Sequence, residues 1–166
     1  SATKLLGIYD IEKSDDTCII VVDDDGIYNK NMANEYLKYF LKNDNKFIIC
    51  CSGIYFPEKI KKIGFNDYII IKDHGKLVDI AEGTGGYILQ RKMIKKDIFT
   101  FFINKNFHNS MIYRCDDYVF ARYFNLHNIN IKLLNNKILN RNNWRIIKKK
   151  TNPLSKIEID NKYFKP

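Results

Sequence analysis

The chain of 166 residues is long enough for one domain with a substantial core, since 45% of its residues are hydrophobic and 14% are aromatic. This composition excludes intrinsic disorder, and no apolar run approaches the ~20 residues that a membrane-spanning helix needs. The formal net charge of +9 favours anionic partners such as phosphates, nucleotide sugars, nucleic acids or acidic glycans. The four cysteines lack the CxxC spacing of zinc sites, so we expect free thiols in a reducing compartment and a cytoplasmic protein.

In the first half of the chain, the sequence predicts alternating strands and helices. Residues 5–11 form a short apolar stretch that suits an edge strand or a docking segment. The β-branched run at 18–22 predicts a strand buried on both faces. Apolar residues at helical spacing predict a helix over 32–41, and a second buried strand is expected at 47–51.

The second half of the chain is predicted to continue in the same way. Its expected elements are a strand at 68–71, a glycine-rich turn at 83–86, a strand at 87–89, helices at 94–102 and 118–126, and a strand at 129–134. This alternation is typical of an α/β layered fold. No linker divides the chain, so we expect one domain over 1–166 in which the basic segment 135–166 is less regular.

The most informative feature is the end of the first buried strand, where Asp23, Asp24 and Asp25 follow one another. Open α/β sheets bind ligands at the carboxyl ends of their strands, and adjacent like charges are held together most easily by a cation. Alternate residues of an extended segment project to the same side, so Asp23 and Asp25 can share one site while Asp24 faces away. A solvated acidic turn, with Asp24 or Asp25 as a helix cap, explains the triplet equally well.

Two further segments carry candidate chemistry. Asp116 and Asp117 begin a predicted helix, where one of them is suited to act as a general base on a hydroxyl nucleophile. Taken alone, helix capping explains these carboxylates better. The turn at 83–86 permits close approach of a ligand to the backbone, although a plain turn is the simpler interpretation. It matches neither the Walker loop nor the GxGxxG spacing.

Taken in order, these segments resemble a known family. The acidic triplet followed by "GIY", the glycine-rich turn leading into "GGYILQRKMI" and the late "CDDYVFARYFNLHNINI" are similar to the GT-A glycosyltransferases, which use nucleotide sugars and carry a DXD motif. The resemblance covers roughly residues 17–134 and is greatest to small bacterial and viral members. It implies a GT-A-like α/β/α sandwich with a mostly parallel central sheet. For a viral chain, the expected location is the host cytoplasm.

The resemblance also implies roles for the early aspartates. Asp23 and Asp25 match the DXD motif and are expected to bind Mn²⁺ or Mg²⁺, with Asp25 the more direct metal ligand. Asp24 lies between them in the same donor-binding segment. The donor is expected to be a UDP- or GDP-sugar, and the acceptor a glycan or another hydroxyl compound.

Later segments receive roles in the same way. Gly85 and Gly86 match the turn that lines the donor sugar and the acceptor. Asp116 and Asp117 match the late acidic pair, in which we favour Asp117 as the base of an inverting transfer. In such an enzyme, basic side chains of the tail would close over the diphosphate, with Arg145 and Lys148 as candidates.

The chain departs from the family at its amino terminus. The DXD motif normally follows several strands and helices that hold the nucleotide base, whereas here the motif begins at Asp23. We therefore expect a nucleotide-binding half that is short or missing, which places independent activity in question. A sheet without those strands would expose an apolar edge that a partner chain or segment could cover.

Two other classes of function remain open from the sequence. One is a basic nucleic-acid-binding or interaction module, which the charge favours but the core-like spacing of the aromatic residues disfavours. The other is a metal-dependent phosphotransferase or nuclease that uses the same carboxylates.

Overall fold

A five-stranded sheet carries the main hydrophobic core of the computed structural model. The structure describes residues 3–24, 26–42, 45–56, 75–103 and 116–134, together with the short strands 62–63, 69–70, 145–146 and 159–160. Its mixture of helices and strands confirms the predicted α/β class. Within these residues, no helix has the length and apolar character needed to cross a membrane.

The helices and strands follow one another closely along the chain. The first half contains α1 (Thr3–Ile11), β1 (Cys18–Val21), β2 (Gly26–Ile27), α2 (Met32–Lys42), β3 (Ile48–Cys50), β4 (Gly53–Tyr55), β5 (Lys62–Ile63) and β6 (Ile69–Ile70). The second half contains β7 (Leu77–Val78), β8 (Ile80–Ala81), a 3-10 turn (Gly83–Gly85), β9 (Tyr87–Gln90), a second 3-10 turn (Arg91–Met93), α3 (Ile98–Ile103), α4 (Asp116–Leu126), β10 (Ile131–Leu133), β11 (Arg145–Ile146) and β12 (Ile159–Asp160).

The five-stranded sheet has the order β1-β9-β3-β10-β7, and the prediction that it is mostly parallel is wrong. Among the described strands, β9 pairs antiparallel with both β1 and β3, and β7 pairs antiparallel with β10. Only β3 and β10 run parallel. The reason is that β9 follows a tight 3-10 turn and inserts between β1 and β3, whereas β10 follows a helix of the kind that parallel pairs need as a crossover.

Buried aromatic and aliphatic side chains explain why the helices pack on this sheet. Tyr36 and Phe40 lie four residues apart on one face of α2, and both are fully buried. Tyr123 and Phe124 are buried on α4, where they contribute to the same cluster. Burial of each such side chain contributes roughly 1.5–3 kcal/mol. The helices therefore derive their stability mainly from the sheet beneath them.

The first segment of the chain is a helix, not the edge strand considered as one alternative for residues 5–11. Leu5 is fully buried, and Arg91 holds the other end of α1. The Arg91 guanidinium donates to Tyr9 O at 3.2 Å, Glu12 O at 3.0 Å and Ile94 O at 3.0 Å. It also lies over the Tyr9 ring at 4.0 Å. A cation that satisfies carbonyl groups at a helix carboxyl end stabilises that end, and this long-range contact is invisible in the local sequence.

Replacing Arg91 tests whether this contact holds α1 in place. We expect Arg91→Met to lower the free energy of unfolding by about 2–4 kcal/mol, because buried carbonyl oxygens lose their donors. Urea denaturation measures the change. The neighbouring exposed Lys92 provides the control, since Lys92→Met should alter stability by less than about 0.5 kcal/mol. Equal effects of the two changes would contradict this role for Arg91.

Candidate functional site

Two aspartates from distant parts of the chain meet at Gly83. The backbone N–H of Gly83 donates to Asp117 Oδ2 at 3.0 Å. A Cβ atom built on Gly83 would lie 2.8 Å from Asp117 Oδ1 and 3.0 Å from Asp23 Oδ1. Both carboxylates therefore converge on the space that a side chain at this position would fill. The end of β1, the 3-10 turn and the first turn of α4 form one site.

Local hydrogen bonds fix the position of Asp23 after β1. Its backbone N–H donates to the Tyr28 hydroxyl at 2.9 Å, and that hydroxyl also lies 3.2 Å from Asp23 O. The tight turn that follows β1 is therefore closed by the Tyr28 side chain. Asp24 occupies the turn itself and is exposed.

A lysine from α1 joins the site. Lys4 Nζ donates a short hydrogen bond to Asp23 Oδ1 and lies 3.2 Å from Asp116 Oδ2. The three side chains are 28%, 21% and 15% exposed, so these ion pairs are partly buried. Burial by itself would lower the pKa of the Lys4 ammonium, but the hydrogen bond to Asp23 and the charges of Asp116 and Asp23 outweigh it and raise that pKa. Lys4 is therefore a stable cation in this site.

A buried tyrosine hydroxyl at the site has no hydrogen bond. Tyr87 is only 2% exposed, and its hydroxyl has no hydrogen-bond partner within the described part of the chain. Tyr87 pairs with Val21 in the sheet, two residues before Asp23. Burial, and then the charges of the Asp117, Asp116 and Asp23 carboxylates, raise the pKa of Tyr87. Leaving such a hydroxyl unsatisfied costs about 1–3 kcal/mol.

Asp117 has the protonation behaviour of a base that works near neutral pH. Burial raises its pKa to about 7, the Gly83 N–H opposes that shift, and the negative charges of Asp116 and Asp23 add to it. A carboxyl group with this pKa can accept a proton and release it at physiological pH.

The glycines after Gly83 pack against the protein itself. The Tyr36 hydroxyl bonds to Gly86 O at 2.6 Å and to Gly85 O at 3.0 Å, and Cys51 Sγ lies 2.9 Å from Gly85 O. A Cβ on Gly85 would lie 2.6 Å from that sulfur, and Gly86 has a φ of +72°. These two glycines let the turn pack closely on α2 and β3. Their role in lining a donor sugar stays a prediction.

The other predicted site residues are only partly described. Asp25 and Lys148 lie outside the described residues. Arg145 belongs to β11, whose backbone pairs antiparallel with β2 so that Arg145 faces Ile27 in the register. Residues 145–146 therefore lie beside β2, the strand that follows the acidic triplet.

The oxygen atoms of the cluster suit a hard divalent cation. Within the described part of the chain, no group of three or more His, Cys, Asp or Glu residues has an arrangement that could hold a metal ion. The carboxylates of Asp23 and Asp116 nevertheless share one cation, the Lys4 ammonium, and carry oxygen ligands of the type that Mg²⁺ and Mn²⁺ prefer.

Sequence analysis did not identify two residues of this site. Lys4 precedes an apolar stretch and carries no local signal, because its role depends on α1 packing beside the end of β1. The sequence predicts only a strand at Tyr87. The electrostatic environment of its hydroxyl depends on carboxylates from other elements. Gly83 belonged to the predicted turn, but the structure singles it out as the point that the two carboxylates approach.

The raised pKa of Asp117 predicts a pH dependence of stability in the metal-free protein. The folded chain holds a proton up to pH about 7, whereas an unfolded Asp releases it near about 3.9. Stability should therefore fall as pH rises between these values, with a slope of up to about 1.4 kcal/mol per pH unit from this group. Denaturation with chelator present at pH 5 and pH 8 measures the change.

The Asp117→Asn variant removes the titrating carboxyl group and therefore tests its contribution to the pH dependence of stability. The variant should gain stability relative to the parent at pH 8 but not at pH 5, because the amide oxygen still accepts from Gly83 and carries no charge. Asp10→Asn, a change at an exposed position of α1, should keep the parental pH dependence. A parental slope that survives in Asp117→Asn would show that this carboxyl titrates normally.

The space at Gly83 gives a separate prediction. Gly83→Ala should lower the free energy of unfolding by about 1–3 kcal/mol, because its Cβ would contact both carboxylates. Gly7→Ala is the matched control: nothing lies within 4 Å of its Cβ, and alanine should stabilise α1 by about 0.5–1 kcal/mol. In thermal unfolding, we expect Gly83→Ala to lower the melting temperature and Gly7→Ala to raise it. A neutral Gly83→Ala would show that the aspartates do not crowd this point.

The comparisons with known proteins do not identify a family for this chain. No protein-family model matches this chain, and no curated protein sequence matches it. The geometry around Gly83 and the resemblance of the motifs are therefore the grounds for any functional conclusion.

Proposed function

We propose that the chain is a metal-dependent glycosyltransferase that moves a sugar from a nucleoside-diphosphate sugar to a hydroxyl acceptor. The observation that carries this proposal is the convergence of Asp23, from the early triplet, and Asp117, from the late pair, on Gly83. The convergence brings together the two acidic motifs that the resemblance assigns to one site. The fold that we propose is GT-A-like.

The early aspartates would hold the cation. Asp23 and Asp25 are the proposed ligands of Mn²⁺ or Mg²⁺, and an ion bound there would neutralise charge that develops on the leaving diphosphate. The net charge of +9 favours approach of an anionic donor, such as a UDP- or GDP-sugar. Because β11 pairs with β2, Arg145 and, beyond it, Lys148 are the proposed basic residues on the diphosphate side.

Asp117 would act as the base. Its Oδ2 is held by the Gly83 N–H, which leaves Oδ1 to accept the proton of an acceptor hydroxyl as that oxygen attacks the anomeric carbon. The pKa of about 7 allows Asp117 to be deprotonated before the step and to hold the proton after it. Attack on the face opposite the leaving group inverts the anomeric centre. Asp116, paired with Lys4, is the weaker candidate for this role.

Binding and transfer assays test these roles separately. Mn²⁺ with UDP or GDP should raise the melting temperature of the parent by mass action, and Asp23→Asn should abolish that shift. Asp117→Asn should keep the shift but reduce sugar transfer by about 10²–10⁴-fold, which is the usual contribution of a general base. Asp10→Asn is the control for loss of one exposed carboxylate and should change neither result.

Other outcomes would support the competing classes of function. Cleavage of phosphodiesters without any dependence on nucleotide sugars would indicate a phosphotransferase or nuclease. Salt-sensitive binding to random oligonucleotides that is unchanged in Asp23→Asn would indicate a nucleic-acid-binding module.

A further inference from the structure

We propose that Lys4 is a built-in cation that competes with the divalent metal ion for the carboxylates of Asp23 and Asp116. This inference rests on the proposed metal site at Asp23. It adds Asp116 to the carboxylates of that site and Lys4 as the residue that controls its occupancy. In the metal-free chain, the Lys4 ammonium contacts one oxygen of each aspartate. These are the same oxygen atoms that a metal ion between the two side chains would need.

The charges explain why the two cations exclude each other. An ammonium and a divalent ion within ligand distance of one carboxylate oxygen would repel each other strongly in a partly buried site. The Lys4 side chain has a flexible four-carbon stem, so its ammonium can leave without displacement of the helix. The helix itself is fixed by the buried Leu5 and, at its other end, by the Arg91 contacts.

A second observation indicates that the lysine alone does not complete the site. Tyr87 pairs with Val21 in the sheet, two residues before Asp23, and its buried hydroxyl has no hydrogen-bond partner among the described residues. This hydroxyl would gain a partner from a hydrated cation, whose water ligands donate hydrogen bonds. The Lys4 ammonium therefore compensates the negative charge of the carboxylates but leaves the Tyr87 hydroxyl unsatisfied.

The displaced ammonium would then have a new partner. A lysine freed from Asp23 and Asp116 stays within one side-chain length of the metal position, where a diphosphate bound to the ion offers negative oxygens. Metal and diphosphate should consequently bind with positive coupling in the parent chain, because the anion compensates the cost of breaking the ion pairs.

Mn²⁺ titration followed by electron paramagnetic resonance of the free ion tests the competition in the full chain. Lys4→Met should bind Mn²⁺ at least about tenfold more tightly than the parent, since a charge-assisted contact no longer has to be broken. Lys4→Arg keeps the cation and should bind close to the parental affinity. Lys38→Met is the matched control, because Lys38 is exposed and pairs with Glu35 on α2.

A measurement on the parent chain makes the test independent of variant folding. Lysine side chains labelled with carbon-13 report the environment of each ammonium by nuclear magnetic resonance. Titration with diamagnetic Mg²⁺ should shift the Lys4 signal towards that of a free lysine. The Mg²⁺ concentration at half of this shift should equal the concentration at which half of the chains have bound Mg²⁺. The Lys38 signal should stay unchanged.

The outcomes separate this inference from the proposed function. Equal Mn²⁺ affinities for the parent and Lys4→Met, or a Lys4 signal that ignores bound Mg²⁺, would overturn the competition while leaving the metal site intact. Failure of both chains to bind either ion would overturn the competition and the metal-dependent mechanism together.

Discussion

The mutual repulsion of three carboxylates is the constraint around which the site is organised. The charges of Asp23, Asp116 and Asp117 are compensated by the Lys4 ammonium of α1, by the Gly83 N–H of the 3-10 turn and by the proton that Asp117 retains up to about neutral pH. The site therefore exists only when α1, the end of β1, the 3-10 turn and α4 are all in place, and its negative charge is the feature available for binding cations.

The sheet supplies the rigidity that this arrangement requires. The antiparallel insertion of β9 beside β1 places Tyr87 opposite Val21, two residues before Asp23. On the other side, Tyr36 of α2 hydrogen-bonds to the carbonyl groups of Gly85 and Gly86. The glycine-rich turn is consequently held from both sides, and the Gly83 N–H that orients Asp117 is fixed by packing. Groups held in this way need little rearrangement when a ligand binds, which favours catalysis.

The same contacts connect the architecture with the proposed sugar transfer. A base near neutral pH, oxygen ligands for a hard cation and an excess of positive charge on the chain are the three requirements for activating a hydroxyl against an anionic donor. The pairing of β11 with β2 places residues 145–146 beside the strand that follows the acidic triplet. The lysine of α1 adds a cation whose partners would change with the occupancy of the site.

Local elements with strong hydrophobic patterns can be predicted from the amino-acid sequence alone. The strand before the acidic triplet, the helix carrying Tyr36 and Phe40, and the helix that begins at Asp116 all form where periodicity and capping chemistry predict them. The predicted helix over 94–102 is only partly helical, because the chain first forms a 3-10 turn and α3 begins at Ile98. The candidate aspartates were recognised from their position at the ends of such elements.

The arrangement of these elements depends on contacts between residues that are distant in the sequence. The antiparallel position of β9 depends on pairing with strands distant in the sequence, and the helical state of α1 depends on contacts with Leu5 and Arg91. The partnership of Lys4 with two aspartates, and of Gly83 with Asp117, likewise joins residues that no local window contains. Periodicity and capping act over a few residues, whereas ion pairs and close packing depend on distance in space, which the fold alone sets.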